Sequence, residues 1–308
     1  MPILEVENLS ISFKQYTAGG LKQGNNKVIS GLNVQLREGE ILAVVGASGS
    51  GKSLLAHAIL GILPSNAKVS GMIKYAGEEM SDKALKALRG KEIALVPQSV
   101  NYLDPLMRIG RQVRASVKDG DASVVQRNVF ERYRLNQNVE DMYPFQLSGG
   151  MARRALLATA MVSGAKVIIA DEPTPGLDSV VVNEALQNFR ELADNGCAVM
   201  MITHDIDAAL QIADYIAVFY AGTTVEIAPV KDFVGLGEAL RHPYSKALWQ
   251  ALPQNGFIPI PGSQPHSSAL PKGCLFAPRC ENGTYECEKA EPEMRELRNG
   301  MVKCIHAK

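Results

Sequence analysis

The chain has 308 residues, is 46% hydrophobic and 21% charged, and balances 32 Lys and Arg against 32 Asp and Glu. A chain of this length buries a large core without disulfide staples, and its composition excludes a largely disordered, collagen-like or mini-protein reading. Zero formal net charge disfavours a general nucleic-acid binder with a strong basic field.

The first residues lack both a basic region and an apolar stretch, so no secretory signal is expected and the chain is expected to stay in the cytoplasm. Residues 3–9 alternate loosely in hydropathy and residues 10–13 continue the pattern, as in β structure. A Gly-, Asn- and Lys-rich loop is expected over 17–27, and alternation resumes over 28–36. The apolar run 41–45, bounded by glycines, reads as a buried parallel strand, and 93–96, 167–170 and 198–202 repeat that character. Helical patterns over 53–63, 149–163 and 180–195 are interleaved with these runs, which predicts an α/β domain with a mostly parallel sheet. Residues 99–162 show no strand pattern and are expected to form a helical insertion. Residues 216–220 and 224–227 read as a hairpin. Beyond Pro229 the character changes, and residues 253–273 hold five of the 16 prolines before a Cys-rich tail. The longest stretch without Asp, Glu, Lys or Arg, 247–271, is too rich in Pro, Gln, Asn and Ser to be a transmembrane helix.

Directly after the strand over 41–45 comes Gly46-Ala47-Ser48-Gly49-Ser50-Gly51-Lys52-Ser53, the G-x-x-x-x-G-K-S pattern of a phosphate-binding loop. Its glycines let successive backbone N–H groups curl inward toward phosphate oxygens, and the following helix adds its positive end. Lys52 is placed to reach the β- and γ-phosphates of a nucleotide and Ser53 to ligate Mg²⁺. Asp171 ends the apolar run 167–170, where ligands bind in open α/β sheets, and is expected to hold the Mg²⁺ shell. Glu172 follows as a candidate general base toward water. Gln98 and His204 also end strands, Gln98 as a candidate sensor of Mg²⁺ and water and His204 as a candidate donor to the γ-phosphate.

Leu147-Ser148-Gly149-Gly150-Met151 precedes Asp171 by about twenty residues and resembles the LSGGQ-type signature of ATP-binding cassette (ABC) ATPases. The phosphate loop, Gln98, this signature, Asp171-Glu172, Gly176-Leu177-Asp178-Ser179 and His204 follow the order and spacing of that family over about residues 3–228. The resemblance implies an ABC-type nucleotide-binding domain with an antiparallel β subdomain and a helical insertion. It implies adenine stacking on Phe13, with Tyr16 a weaker candidate, and nucleotide contacts by Ser148, Gly149, Gly150 and Asp178. It further implies that Ser148, Gly149 and Gly150 meet ATP held by an opposite subunit. The sequence departs from the family at Thr174-Pro175-Gly176, where Thr-Thr-Ala is usual.

A closer resemblance is to the oligopeptide/dipeptide permease ATPases, a branch that also includes nickel importers. It is carried by the stretch from Leu95 to Pro105, by Met151 in the signature, and by His242-Pro243-Tyr244 with the Cys-rich segment after it. The implied organisation is an ATPase domain over 1–230, with its helical subdomain about 99–162, and a C-terminal extension over 231–308. The implied partners are a second, homologous ATPase subunit in a heterodimer, two transmembrane permeases and, indirectly, an extracytoplasmic solute-binding protein. The implied location is peripheral, on the cytoplasmic face of the cell membrane, and no nucleic-acid partner is expected. Peptide is the expected cargo, nickel or a metal chelate the alternative. A soluble ABC ATPase of DNA repair or translation is the rival class, but the chain has room for one cassette and no sustained heptads.

Four of the five cysteines, Cys274, Cys280, Cys287 and Cys304, fall in the last 35 residues, spaced x5, x6 and x16. In a cytoplasmic chain such a group suggests metal thiolates. Zinc knuckles usually show C-x₂₋₄-C pairs, whereas a 4Fe–4S cluster takes four thiolates with irregular spacing. The branch resemblance also points to a 4Fe–4S cluster; zinc and free thiols remain the alternatives. Cys197, in an apolar run, reads as a small buried hydrophobe.

Overall fold

The computed structural model describes residues 1–16, 23–267 and 269–308, and of residues 15, 16, 23 and 24 only the backbone. The chain begins with strands β1 (Pro2–Tyr16), β2 (Gln23–Arg37) and β3 (Ile41–Gly46), then helix α1 (Lys52–Ile59). Strands β4 (Ala67–Tyr75) and β5 (Glu78–Glu79), helix α2 (Asp82–Leu88) and strand β6 (Ile93–Val96) follow. Helices α3 (Ile109–Ala115), α4 (Ala122–Arg132) and α5 (Gly149–Met161) lead to β7 (Val167–Asp171). Next come α6 (Ser179–Asp194), β8 (Ala198–Thr203), α7 (Ile206–Ile212), β9 (Tyr215–Tyr220) and β10 (Thr223–Pro229). The extension adds α8 (Pro243–Gln250), α9 (Tyr285–Lys289), β11 (Arg295–Leu297) and β12 (Gly300–Val302). Two compact units result, one of residues 1–36, 42–80 and 213–308, the other of 37–41 and 81–212.

In the first unit, β1 and β4 pair antiparallel from Leu4 with Tyr75 to Phe13 with Ala67, in a sheet ordered β2-β1-β4-β5. The register shifts between Glu7 and Ser10, where Asn8 has a φ of 49°. This bulge explains why the sequence reads as two short segments: the extra residue turns Leu9 and Ile11 to the buried side shared with Leu4 and Val6. Strand β4 carries no alternation to read, because most of its first residues are exposed. Of the loop expected over 17–27, residues 17–22 lie outside the described residues, and 23–27 belong to β2. The second strand set of this unit runs β3-β9-β10-β12-β11. All six residues of β3 are buried, and it lies parallel to β9 with Val44 opposite Ala217.

The extension is tied into this set rather than trailing from it. Strand β12 pairs with β10, Glu226 opposite Val302. Buried Arg241 meets Glu226 at 3.2 Å and Asp232 at 2.8 Å, and the Glu226 carboxylate also accepts the N–H groups of Arg241 and His242. A buried carboxylate and guanidinium paired in this way leave neither charge uncompensated.

In the second unit, β6, β7 and β8 are parallel neighbours, with Ile93 opposite Val167 and Asp171 opposite Ile202. All of β7 and β8 is buried, as their continuous apolar runs require. No strand interrupts the described residues between β6 and β7, where α3, α4 and α5 lie. Arg114 joins that segment by hydrogen bonds to Gln126 at 2.6 Å and Glu140 at 3.0 Å. Helices α5 and α6 fall within two residues of their expected bounds, whereas α1 stops at Ile59, short of the expected 63, because Gly61 turns with a φ of 61°. Among the described residues, no helix is long and apolar enough to cross a membrane.

Candidate nucleotide site and cysteine pocket

In the first unit, β3 delivers the chain into the phosphate loop. A side chain on Gly46 would overlap the Phe219 carbonyl of β9, so only glycine lets the strand end here. Gly49 and Gly51 hold φ angles of 78° and 95°, in the left-handed region where glycine carries little penalty. Gly51 starts α1 without a side-chain cap, and no acid sits in the first turn. The helix dipole favours an anion at this end. Lys52 folds back, its ammonium donating to the carbonyls of Gly46 at 2.8 Å and Ala47 at 3.1 Å. Ser48 and Gly49 are exposed, Ser53 is half-buried, and the Ser50 hydroxyl is buried with no hydrogen-bond partner. An orphaned buried hydroxyl in a loop of this geometry fits a phosphate oxygen. Phe13 is half-buried near the end of β1, opposite Ala67, and the Tyr16 side chain lies outside the described residues.

The second unit holds the acidic residues. Asp171 ends β7 and Glu172 follows it, both buried. Glu172 has a φ of 49°, and its N–H donates to Ile202 O at 2.8 Å. A left-handed non-glycine residue costs on the order of 1–2 kcal/mol, a strain found preferentially at functional positions. The Nδ1 of His204 lies 2.9 and 2.8 Å from the two carboxylate oxygens of Glu172. The Glu172 side chain is 10% exposed and that of His204 64%, so the imidazole covers a carboxylate that is otherwise nearly enclosed. Gln98 is exposed just past β6.

The signature segment and the departure at Pro175 are also in this unit. Ser148 caps α5, accepting the Met151 N–H at 3.3 Å, and is exposed. Nothing lies within 4 Å of a side chain built on Gly149 or Gly150, which leaves that helix start open to a neighbour. Asp178 caps α6 by accepting the Val181 N–H at 3.0 Å. Leu177 N–H donates to Thr174 O at 3.2 Å, and Gly176 between them has a φ of 74°. Pro at the second position and left-handed Gly at the third make a type II turn, so this pair stiffens the segment. A side chain on Gly176 would also lie 3.6 Å from the Arg153 guanidinium of α5.

The four tail cysteines are free thiols lining one small cavity of about 10 Å³, with His242 and Phe276 in its wall. Cys274 N–H donates to Cys287 O at 2.7 Å, and Cys304 lies two residues past the end of β12. Burial pushes the thiols of Cys274 and Cys280 up from their ordinary range, and the neighbouring Cys304 and Cys287 push the same way. Burial also pushes His242 down to about 3, so its ring is neutral. Among the described residues, no group of three or more His, Cys, Asp or Glu side chains is arranged to hold a metal ion. Cys197 is half-buried, with its thiol raised to about 11 by burial.

The comparisons with known proteins agree with this architecture. The family described as "ABC transporter" matches residues 29–175, and "Oligopeptide/dipeptide transporter, C-terminal region" matches 225–287. Oligopeptide transport ATP-binding protein OppD of Haemophilus influenzae is 33% identical, over 98% of this chain and 96% of its own. Dipeptide transport ATP-binding protein DppD of Bacillus subtilis is 34% identical, over 94% of this chain and 90% of its own. A dimeric ATP-binding cassette solved in a post-hydrolysis state with ADP and phosphate shares the fold. Its TM-score is 0.64 at 24% identity, over 74% of this chain and 98% of that one. The chain belongs to the ATP-binding subunits of ABC transporters, in the branch that carries the oligopeptide/dipeptide C-terminal region. It is an ABC ATPase whose ATP hydrolysis is coupled to transport.

Proposed function

We propose that this chain drives the import of oligopeptides or dipeptides. The observation that carries the reading is the joint presence of cassette and C-terminal region, matched along 98% of the chain by a relative named for oligopeptide transport. The nickel alternative has no observation in its favour. In this reading an ATPase module of about 1–230 is followed by the extension of 231–308. The backbone of Gly46, Ser48, Gly49, Ser50 and Gly51 cradles the phosphates, Lys52 turns from the Gly46 and Ala47 carbonyls to the β- and γ-phosphates, and Phe13 stacks on adenine. Ser53 in the first unit, and Asp171 and Gln98 in the second, are each assigned to Mg²⁺. Glu172 takes the proton of the attacking water, and His204, which orients its carboxylate here, is the γ-phosphate donor.

ATP is hydrolysed in a sandwich with a second, homologous subunit, as a heterodimer. The exposed Ser148 and the open space above Gly149 and Gly150 support a partner-facing role for that helix start, and Asp178 holds the adjoining turn. Binding and hydrolysis switch two permeases at the cytoplasmic face of the membrane, with a solute-binding protein supplying the cargo. Tyr102, Leu106 and Phe145, 52%, 88% and 77% exposed on the second unit, supply apolar surface for permease contact.

The same reading gives the tail a 4Fe–4S cluster on Cys274, Cys280, Cys287 and Cys304. What supports this reading is that all four free thiols border one cavity and that a 4Fe–4S cluster takes four thiolates. Its part is structural, tying together segments distant in sequence. Co-purification from detergent with two membrane permeases tests the importer reading; co-sedimentation with ribosomes or DNA instead overturns it.

A further inference from the structure

We propose that Lys303, from the C-terminal extension, is a positioning residue of the phosphate loop, acting through residues 28–31 of β2. Lys303 directly follows β12 and is only 7% exposed. Its backbone N–H donates to Val225 O of β10 at 2.9 Å, which fixes it on the neighbouring strand. Its ammonium donates to the Thr223 hydroxyl at 3.0 Å, to the Gly31 carbonyl at 3.4 Å and to the Glu291 carboxylate. An ammonium has three protons to donate, and three acceptors meet it here. The Thr223 hydroxyl in turn donates to the same Gly31 carbonyl at 3.4 Å. Within the small sheet Gly31 is also held by Ser10, whose hydroxyl accepts its N–H at 3.0 Å, and by Asn33, whose amide donates to its carbonyl at 3.0 Å. Lys303 and Thr223 supply the hold from the other strand set, one by direct contact and both together by a hydroxyl relay.

Gly31 is a bend in β2, with a φ of 54°. The residues just before it lie against the phosphate loop. Ser30 N–H donates to Gly222 O at 2.9 Å, and a side chain on Gly222 would overlap the Val28 carbonyl, so 28–30 press on the turn between β9 and β10. Ile29 is fully buried, and a Cβ on Gly51 would lie 3.2 Å from its Cγ1 and 3.7 Å from the Val28 oxygen. Ile29 is thus the wall behind Gly51. The Gly51 carbonyl accepts the N–H groups of Leu54 at 3.1 Å and Leu55 at 3.3 Å, so it opens α1, and Lys52 comes next. A phosphate loop works through the directions of its backbone N–H groups. In a close-packed interior a displacement passes to the neighbours, so a β2 released at Gly31 loosens the wall behind the loop's last glycine. Every residue in this series of contacts belongs to one compact unit. No sequence motif announces it, since Lys303 and Gly31 are 272 positions apart.

The proposal rests on the reading that Gly46 to Ser53 cradle the phosphates of ATP. The test uses the full chain assembled with its partner subunits, titrated with ATP below the melting temperature of every variant. Lys303→Met keeps the stem and removes the ammonium; Thr223→Val removes the relay and leaves Lys303 paired with Glu291. Each should bind ATP about two- to tenfold more weakly, the scale of a lost hydrogen bond. KM for ATP should rise with it, and kcat should change less than KM. Ile29→Ala opens the wall itself, so Lys303→Met should add little to its effect on ATP binding. Lower melting temperatures with unchanged ATP affinity in Lys303→Met and Thr223→Val would make Lys303 a structural tie only and overturn the proposal. Full additivity of Lys303→Met with Ile29→Ala overturns the route through β2. Lys52→Ala in the same titration separates the failures. If ATP affinity survives that change, the phosphate-loop reading falls and the proposal with it; if Lys52→Ala alone weakens binding, only the role of Lys303 is overturned.

Discussion

In the phosphate loop, the candidate cradle comes from eight consecutive residues, Gly46 to Ser53. In the cysteine pocket, the four thiols are drawn from 31 positions, Cys274 to Cys304. Both lie in the same compact unit, and both wrap irregular backbone around a space. The loop is organised by local rules: glycines with positive φ, a strand before it and a helix after it. The pocket exists only once the tail has folded, because Cys304 lies two residues past a strand paired with β10 and Cys274 is fixed by the Cys287 carbonyl. Local order makes a site readable and tolerant of distant change, whereas assembled order makes it depend on everything that brings its parts together.

Substitutions should separate the two. Lys52→Ala removes a charge-assisted contact to phosphate and should weaken ATP binding about 10- to 100-fold, with the melting temperature held. Equilibrium titration with ATP checks this; a change in stability without one in affinity would show that the lysine serves the loop's own carbonyls. The second cut is in the tail. A side chain on Gly273 would overlap the Cys287 carbonyl and its neighbour Glu288. Gly273→Ala should therefore lower stability by about 1–3 kcal/mol and lose any bound metal, while ATP still binds. Cys280→Ser should likewise bleach a brown, anaerobically purified protein. Colourless wild-type protein carrying one tightly bound zinc would replace the cluster with a mononuclear site.

A smaller effect is expected at Gly176, whose φ of 74° suits glycine in a type II turn. Gly176→Ala should cost roughly 1 kcal/mol by the strain of a left-handed alanine, read by thermal unfolding, and leave the tail's metal untouched. The smallest effect concerns Cys197, the cysteine outside the tail. Its thiol is raised to about 11, above the ordinary 9, so folding favours the neutral form. That contribution is fully present below pH 9 and is lost as the pH rises through 11. Cys197 should resist alkylation at pH 8 in the folded chain and react on unfolding. Rapid reaction in the native state would contradict its burial.

The same contrast between local and assembled order governs what the sequence reveals. Strands β3, β7 and β8 stand out because buried parallel strands are continuous apolar runs. Strand β4 is silent because its exposed half carries Lys68, Ser70 and Gly71. Strands β11 and β12 are three residues each, too short for any periodicity. The unusual Pro175-Gly176 pair becomes intelligible only when the Leu177 N–H is seen to close a turn on Thr174. Of the candidate sites, the phosphate loop is a contiguous pattern, and the cysteines are visible by composition alone.

The most direct measurement of the central claim is ATP turnover in the assembled transporter, with its permeases and solute-binding protein, in the presence and absence of peptide. Wild-type complex should hydrolyse ATP faster when peptide is supplied. Glu172→Gln should lose at least about 100-fold of that turnover, the scale of a missing general base, while ATP still binds and holds the subunits closed. Turnover indifferent to peptide, or a Glu172→Gln complex working at the wild-type rate, would contradict the account.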